Sequence, residues 1–194
     1  MKYKLSQLLT EYKEINASSL YEPVAVGRYG IRKRSEIYKK ELSKDYSKNK
    51  VIRKNTLIIG LGSVQIDVGV LSEDKVFSVS PAYHTYRINT KIVNPRFLEH
   101  IFVVNNKRFF DKYSVPTARQ GKKVDLKNMF NEMIEVPDFS KQDIFSKNID
   151  SIKRVLNKSN SEIELLNELI KSRFVGQEAN IWKTSSKYLK TKQD

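Results

Sequence analysis

The chain has 194 residues and 39% hydrophobic residues, which suits one folded domain, or a domain with an appendage, and argues against disorder. It contains no cysteine, so disulfides, thiolate metal sites and cysteine nucleophiles are excluded. Its formal net charge of +14 favours contact with nucleic acid or an anionic membrane surface. The N-terminal segment is too polar for a signal peptide, and no run approaches the roughly 20 apolar residues that a membrane helix needs, so we predict a cytoplasmic protein.

The N-terminal region shows two stretches of helical periodicity with a glycine-containing segment between them. In the first stretch, apolar residues at helical spacing predict a short amphipathic helix. They are Leu5, Leu8, Leu9, Tyr12 and Ile15. YEPVAVGRYG (21–30) holds a proline and two glycines, which predicts a loop or an edge segment. Ser35 then predicts the cap of a helix over SEIYKKELSKDY (35–46), whose tyrosines and leucine share one face.

From Thr56 onward the hydrophobic period changes to alternate residues, which is typical of strands. LIIGL (57–61) is a continuous apolar run and predicts a buried strand. In VQIDVGVL (64–71), valine and isoleucine alternate with polar residues and glycine, which predicts a half-buried strand. VFSVSPAYHTYRI (76–88) again has strand character, with Pro81 expected at a strand start, an edge or a bulge.

A helix and a basic loop follow these predicted strands. NPRFLEHIF (94–102) begins with an asparagine cap and a proline at the first helical position, and its apolar residues predict a buried face. TARQGKKVDL (117–126) is a polar, basic loop around Gly121, and MIEVP (133–137) predicts a short strand. The predicted fold class is α+β, with a mixed α/β globular domain followed by a long C-terminal coiled-coil helix.

The region after Pro137 has no further proline, and its first glycine is Gly176. Apolar residues recur there at alternating spacings of four and three, which predicts a coiled-coil helix over residues 140–176. The seam consists of Phe145, Ile149, Ile152, Leu156, Ile163, Leu166 and Ile170. Ser140 with Asp143 resembles a capping box, and Gly176 would end the helix. The alternative is two shorter helices broken at 157–161, but either arrangement needs a partner surface, and we expect another polypeptide.

No arrangement of residues predicts an enzyme. His84 and His100 are the only histidines and lie in different predicted elements, and the common zinc-protease, serine-hydrolase and nucleotide-loop motifs are absent. GLGS (60–63) is a weak match to a phosphate loop, and a turn or bulge explains it better. We therefore expect no catalytic residue, no metal site and no cofactor.

Two basic clusters predict contact with double-stranded DNA. Residues 28–54 hold eleven lysines and arginines against three acidic residues, and RQGKK (119–123) adds a second cluster beside a glycine. Arginine and glutamine can read base edges, while lysine neutralises phosphates. The predicted DNA-binding residues are Arg28, Tyr29, Arg32, Lys33, Arg34, Tyr83, His84, Arg119, Gln120 and Lys122. The alternatives are a solvated helix face for the first cluster and a core or edge histidine at position 84.

Several segments, in this order, resemble half of the specificity subunit of type I restriction-modification systems. They are GRYGIRKRSEIY, VIRKNTLIIGLGSVQIDVGVL, FSVSPAYHTYRI, NPRFLEHIF, ARQGKKVDL and IEVPDFSKQDIFSKNIDSI…LLNELIKSRF, and they cover most of residues 1–176. One departure is at the helix start, where the family often has a proline-rich segment ending in Glu-Gln and this chain has VPDFSKQ (136–142).

The resemblance implies a non-catalytic protein that binds DNA. In that family, each target-recognition domain reads one half of a split DNA site, and two helices pack antiparallel, set the half-site spacing and dock the methyltransferase subunits. Methyl-donor and nucleotide chemistry belong to the modification and restriction subunits. This chain has one such domain and one such helix, which implies a half-subunit, natural or truncated, that forms a homodimer.

The predicted organisation has three parts. Residues 1–139 form the target-recognition domain, residues 140–176 form the helix for dimerisation and subunit docking, and residues 177–194 form a basic tail or the vestige of a second half. The seam residues from Ile149 to Ile170 are predicted to pair the helices. Two alternatives stay open: a structural coiled-coil adaptor with incidental basic charge, and the recognition domain of another DNA-modification enzyme or an RNA binder.

Overall fold

The computed structural model describes residues 1–27, 30–38, 45–62, 64–116 and 122–190, with side chains described up to Phe174 in the last helix. The chain forms two units, one spanning Met1–Ser146 and one beginning at Lys147. The strands are β1 (Lys2–Lys4), β2 (Leu9–Glu11), β3 (Pro23–Gly27), β4 (Gly30–Lys33), β5 (Lys50–Ile52), β6 (Thr56–Leu61), β7 (Ile66–Leu71), β8 (Phe77–Val79), β9 (His84–Ile88), β10 (Ser114–Pro116), β11 (Lys122–Val124) and β12 (Met133–Glu135). The helices are α1 (Leu5–Leu8), α2 (Arg34–Ile37), α3 (Pro95–Val104), α4 (Asn106–Tyr113), α5 (Leu126–Met129) and α6 (Phe139–Lys190).

Two four-stranded sheets form the centre of the first unit. The first sheet has the order β2-β9-β6-β7 and is antiparallel throughout. The second has the order β4-β3-β8-β5, with β3 and β8 parallel and the other neighbours antiparallel. β1 pairs with β12, and β10 pairs with β11, as two antiparallel ribbons. The α+β class predicted from the sequence, with its long C-terminal helix, is confirmed.

β6 contributes side chains to two apolar clusters. Successive side chains of a strand point to opposite faces, so Leu57 and Ile59 enter the larger cluster while Ile58 enters the smaller one. All three side chains are fully buried. The larger cluster also receives aromatic side chains from α3 and α4, and the smaller one receives valines of β3 and β8. The buried strand predicted at LIIGL is therefore confirmed.

α3 forms as its sequence predicts. Oδ1 of Asn94 accepts a hydrogen bond from the backbone N–H of Arg96 at 2.9 Å, and the intervening proline occupies the first helical position. Such a cap satisfies one of the free N–H groups of the first turn. Phe97, Leu98 and Phe102 are buried against the first sheet, so both the helix start and its inner face were predicted correctly.

The two helices predicted in the N-terminal region are each a single turn. α1 ends at Leu8 because Leu9 pairs with Ile88 and starts β2. α2 ends at Ile37, since Tyr38 has an extended backbone with φ −117° and ψ 126°. Ser35 lies inside α2 and is not its cap. The predictions of longer helices here are wrong in the described part, and residues 39–44 lie outside it.

Two strand predictions also need correction. β7 begins at Ile66, whereas Val64 lies before it with 79% of its surface exposed. The last four residues of β7 are all buried because the second sheet covers its other face, so the strand is not half-buried. The segment 76–88 is two strands in different sheets, β8 and β9, with Pro81 in the turn between them. Proline suits that turn because it has no N–H to donate to a ladder.

α6 starts and ends differently from the predicted helix. Oδ1 of Asp138 accepts from the N–H of Lys141 at 3.0 Å, so Asp138 caps the helix and Ser140 does not. The helix is continuous through 157–161, and its backbone stays helical past Gly176 to Lys190. A lone glycine costs a helix only about 1 kcal/mol relative to alanine, which is too little to end it. None of the described helices combines the length and apolar composition that crossing a membrane requires.

Candidate nucleic-acid interface

The first group of predicted DNA-binding residues belongs to the β3–β4 hairpin and the helix after it. Arg32 and Lys33 are the last two residues of β4, and Arg34 is the first residue of α2. Arg28 and Tyr29, between Gly27 and Gly30 in the sequence, lie outside the described residues. YEPVAVGRYG, predicted as a loop or edge segment, supplies β3 and the start of β4, and β4 is an edge strand of its sheet.

Acidic and aromatic side chains surround the basic residues of this hairpin. Nζ of Lys33 lies 2.9 Å from Oε2 of Glu22, and the hydrogen bond and charge of Glu22 raise the pKa of Lys33. The guanidinium carbon of Arg34 lies 5.6 Å from the ring centroid of Tyr38 and 6.0 Å from that of Tyr46. A phosphate at Lys33 would therefore replace an existing, half-exposed ion pair, which contributes little stability by itself.

A cleft of about 430 Å³ opens beside the same hairpin, between β4 and the end of β7. Both signs of charge line it. The charged residues are Arg32, Lys33, Lys75, Glu36, Glu73 and Glu99. Nζ of Lys75 is 2.5 Å from Oε2 of Glu73, and Oε1 of Glu99 accepts from the N–H of Val70 at 3.1 Å. Basic and acidic side chains are therefore equal in number around this cleft.

The hairpin is seated closely on the first sheet. A Cβ on Gly69 of β7 would lie 2.6 Å from Cγ1 of Ile31 on β4, so only glycine allows this approach. Gly30, directly after the tip, has φ +79°, a conformation that glycine adopts without steric cost. Gly30 and Gly69 are visible in the sequence. Their role in packing β4 closely on β7 was not predicted, because it depends on which strands meet.

Tyr83 and His84, predicted to contact DNA, occupy different environments. The hydroxyl of Tyr83 donates to the carbonyl of Val26 at 3.1 Å and accepts from the N–H of the same residue at 3.3 Å. Nζ of Lys50 donates to the carbonyl of Tyr83 at 2.5 Å. The structure thus joins Tyr83 to β3, two residues before the hairpin tip.

His84 begins β9 and is partly buried. Burial lowers its pKa, the positive charge of Lys50 lowers it further, and Glu11 opposes both effects. It lines a shallow pocket of about 390 Å³ whose floor contains Tyr86 and Phe130, with ring centroids 4.8 Å apart. Burial, followed by the charge of Glu11, raises the pKa of Tyr86 to about 12. At neutral pH His84 is therefore an uncharged donor or acceptor and adds no positive charge to the surface.

The second basic cluster lies on the β10–β11 hairpin. Lys122 begins β11, where it pairs with Pro116 and is exposed. Arg119 and Gln120, between β10 and β11 in the sequence, lie outside the described residues. The loop predicted at 117–126 is therefore in part a strand, and Lys122 belongs to a two-stranded ribbon whereas Arg32 and Lys33 belong to the second sheet.

Glu132 anchors the base of this second hairpin, a role that the sequence did not reveal. Its carboxylate accepts from Nζ of Lys112 at 2.7 Å, from Arg108 at 2.9 Å and from the hydroxyl of Tyr113. The N–H of Asp125 in turn bonds the carbonyl of Tyr113 at 2.8 Å, at the end of β11. Partial burial raises the pKa of Glu132, but the three hydrogen bonds outweigh it and lower the pKa to about 2.

Gln142 joins the start of α6 to α3. Its side chain is fully buried. Nε2 donates to the carbonyls of Pro137 at 2.9 Å and Ile92 at 3.3 Å, while Oε1 accepts from the N–H of Asn94 at 2.7 Å. Its amide is thus satisfied on both sides, which a buried polar side chain requires. Gln142 is the last residue of VPDFSKQ. It matches the glutamine of the Glu-Gln ending described above, and Lys141 stands in place of the glutamate.

The predicted seam divides between the two units. Phe145 belongs to the first unit, where its ring packs edge-on against Phe97 at a centroid distance of 5.3 Å. Ile149 is partly exposed. The remaining seam residues, Ile152, Leu156, Ile163, Leu166 and Ile170, each have between 51% and 57% of their surface exposed. One face of the described α6 is therefore apolar and open to solvent.

Comparison with solved structures finds this fold in type I restriction-modification S subunits. The S subunit from M. genitalium is 16% identical with a TM-score of 0.52, over 85% of this chain and 42% of that one. The HsdS subunit from Thermoanaerobacter tengcongensis is 14% identical with a TM-score of 0.53, over 81% and 43%. A chain of a type I R-M system, studied for complex assembly and conformational transition, is 17% identical with a TM-score of 0.52, over 86% and 47%.

The fold of this chain is therefore that of type I specificity subunits, and the resemblance predicted from the sequence is confirmed at the level of the fold. The chain spans less than half the length of each of these structures. No protein-family model and no curated sequence matches it.

Proposed function

We propose that the chain is a sequence-specific binder of double-stranded DNA that acts as the specificity subunit of a type I restriction-modification complex. The observation that carries this proposal is the fold shared with S subunits over more than four fifths of the chain. The net charge of +14 supports it, because contacts with phosphate supply much of the affinity of DNA-binding proteins.

The proposed DNA surface consists of two hairpins. The β3–β4 segment with the residue after it contributes Arg28, Tyr29, Arg32, Lys33 and Arg34, and the β10–β11 segment contributes Arg119, Gln120 and Lys122. Arginine and glutamine at loop tips suit guanine and adenine edges, whereas lysine suits phosphate. The described strands of the two hairpins are supported by the close approach at Gly69 and by the hydrogen bonds of Glu132. His84 is proposed as a neutral contact from the strand edge.

The proposal includes partners that act with the chain. We propose that the seam of α6 pairs two copies antiparallel and that the paired helices dock methyltransferase and restriction subunits in the cytoplasm. The chain itself is proposed to be non-catalytic and to need no cofactor. Two-fold symmetry then predicts an inverted-repeat DNA target with a spacer that is not contacted.

Binding measured against salt concentration tests the DNA proposal. A chain that makes about six to ten phosphate contacts should lose roughly 10³–10⁵ in affinity between 50 and 200 mM salt. A duplex enriched from random-sequence DNA by the wild-type chain should compete better than unselected duplex. Lys122→Gln should reduce the slope of log affinity against log salt by about one, because one phosphate contact is lost.

Lys158→Gln is the matched control, since Lys158 is an exposed lysine of α6 outside the proposed surface. It should leave the slope unchanged. Failure to bind any duplex at low salt, even with a methyltransferase subunit present, would reject the DNA proposal. Retained self-association without DNA binding would instead favour a coiled-coil adaptor.

A further inference from the structure

We propose that Tyr83 is a positioning residue that holds the β3–β4 hairpin in its DNA-reading conformation, rather than a residue that contacts DNA. The expected effect on DNA recognition rests on the proposed function, whereas the expected effect on the hairpin can be measured in the protein without DNA. The sequence predicts Tyr83 as a direct contact because it precedes a strand edge next to His84. The contacts of its hydroxyl and its ring point to the other role.

The first observation is where the hydroxyl lies along β3. β8 pairs with β3 only at Pro23 and Val24, so its hydrogen bonds do not extend to the last part of β3. The Tyr83 hydroxyl binds both the N–H and the carbonyl of Val26, two residues further on. It therefore continues the ladder on the edge of β3 beyond the end of β8. Val26 has only 4% of its surface exposed, so this bonding matters for its backbone groups.

The second observation is that the ring of Tyr83 packs closely against Gly60 of the first sheet. A Cβ on Gly60 of β6 would lie 2.7 Å from Cε1 and 3.0 Å from Cδ1 of Tyr83. The ring also packs on the smaller apolar cluster, to which Val24 and Val26 belong. Nζ of Lys50 holds the backbone carbonyl of the same residue at 2.5 Å. The hydroxyl, the ring and the backbone of Tyr83 are thus each held by a different strand.

These contacts connect the turn between β8 and β9 to the end of β3, next in sequence to the proposed DNA-reading residues. Val26 lies two residues before Arg28, and Gly27 pairs with Gly30 to close the hairpin. A base-reading side chain must be presented in one conformation, since small displacements remove hydrogen bonds to base edges. Loss of the Tyr83 bonds should therefore affect discrimination between sequences more than attraction to phosphate.

Two substitutions test the proposal from opposite sides of the ring. Tyr83→Phe removes the hydroxyl and keeps the ring, whereas Gly60→Ala keeps the hydroxyl and displaces the ring. Each should speed hydrogen exchange of the Val26 amide by about tenfold, as expected for loss of one hydrogen bond at a nearly buried group. Each should also lower the ratio of affinity for enriched duplex over random duplex by about tenfold, with little change for random duplex.

Tyr38→Phe is the control, since 44% of Tyr38 is exposed and its ring contact with Arg34 survives the change. Exchange of the Ile58 amide, in the centre of β6, reports whether each variant is folded. A lowered ratio with unchanged Val26 exchange would overturn positioning in favour of direct DNA contact. Unchanged exchange and ratio in both variants would also overturn it. If the wild-type chain enriches no sequence, the proposed function fails and the specificity role fails with it, whatever the exchange shows.

Discussion

Leucine and isoleucine side chains meet opposite environments in the two units of this chain. In the first unit, Leu57, Ile58 and Leu98 have no exposed surface. In α6, Ile163 and Leu166 are 55% and 57% exposed. Burial of such a side chain contributes about 1.5–3 kcal/mol. The first unit thus obtains its stability from its own core, whereas the apolar face of α6 contributes only when another surface covers it.

The spacing of the exposed residues shows which face of α6 is prepared for a partner. The seam residues recur at alternating spacings of four and three residues, so they form one stripe along the helix. Leu165 lies outside that stripe, because it is displaced around the helix by nearly half a turn from Ile163 and Ile170. It is nevertheless 64% exposed. Exposure alone therefore does not mark the interface, and a comparison of stripe with off-stripe positions tests this interpretation.

The largest effect is expected from charge placed in the seam. Leu156→Asp with Ile163→Asp should convert a dimer into a monomer, because pairing would bury carboxylates in an apolar interface. Removing these apolar contacts from both copies should raise the dissociation constant by at least about 10³. Sedimentation equilibrium over a micromolar concentration range measures the change.

Leu165→Asp makes the same chemical change at an exposed leucine outside the stripe. It should leave the dissociation constant within a few-fold of wild type. A wild-type chain that is monomeric at micromolar concentration would contradict the pairing, and an effect of Leu165→Asp as large as that of the double variant would contradict the stripe.

The next largest effect is expected in the core of the first unit, and the same leucine-to-alanine change in α6 is its comparison. Leu98→Ala, at a side chain with no exposed surface, should lower the free energy of unfolding of the first unit by about 2–5 kcal/mol. Leu165→Ala should change it by less than about 0.5 kcal/mol, because an exposed leucine loses little contact. Denaturant titration with a probe in the first unit measures both. Similar losses of unfolding free energy in the two variants would contradict the conclusion that the first unit is stabilised by its own core.

The same contrast explains which elements the sequence predicts. β6, α3 and the long helix have patterns that extend over several residues and agree with local capping or apolar runs. The helical spacing of Leu5, Leu8 and Leu9 is equally regular, but pairing of Leu9 with Ile88 turns the segment into a strand after one turn. Gly176 is a strong local stop signal, yet the helix passes it. Local patterns fail where a distant strand competes, or where one residue must end a long helix.

The basic composition of the candidate site is visible in the sequence, whereas the packing that supports it is not. The basic residues of the two hairpins can be read directly from the sequence. The residues that support those hairpins cannot, because their partners are far away in the chain: Tyr83 bonds Val26, 57 residues earlier, and Glu132 bonds Arg108, 24 residues earlier. Neither residue belongs to a motif, and only the fold shows what each one holds.

The smallest effect concerns two glutamates, one in each unit. Glu132 has 11% of its side chain exposed and has a pKa of about 2, below the ordinary value of 4.5. A lowered folded-state pKa stabilises the fold above the unfolded-state pKa, and this stability disappears as pH falls from about 5 to about 2. After allowance for solvent screening we expect about 1–2 kcal/mol, which Glu132→Gln should remove at neutral pH.

Glu162 provides the comparison in α6, where its side chain is 60% exposed and its Oε1 lies 3.9 Å from Nζ of Lys158. Glu162→Gln should change the free energy of unfolding by less than about 0.5 kcal/mol at any pH, because exposed pairs of this kind are screened. Urea denaturation of the wild type and both variants between pH 7 and pH 2 measures the difference. The Glu132→Gln curve should approach the wild-type curve as pH falls, since protonation removes the same charge from the wild type. A constant offset across that range would mean that Glu132 acts through packing, and the hairpin support would then not depend on its charge.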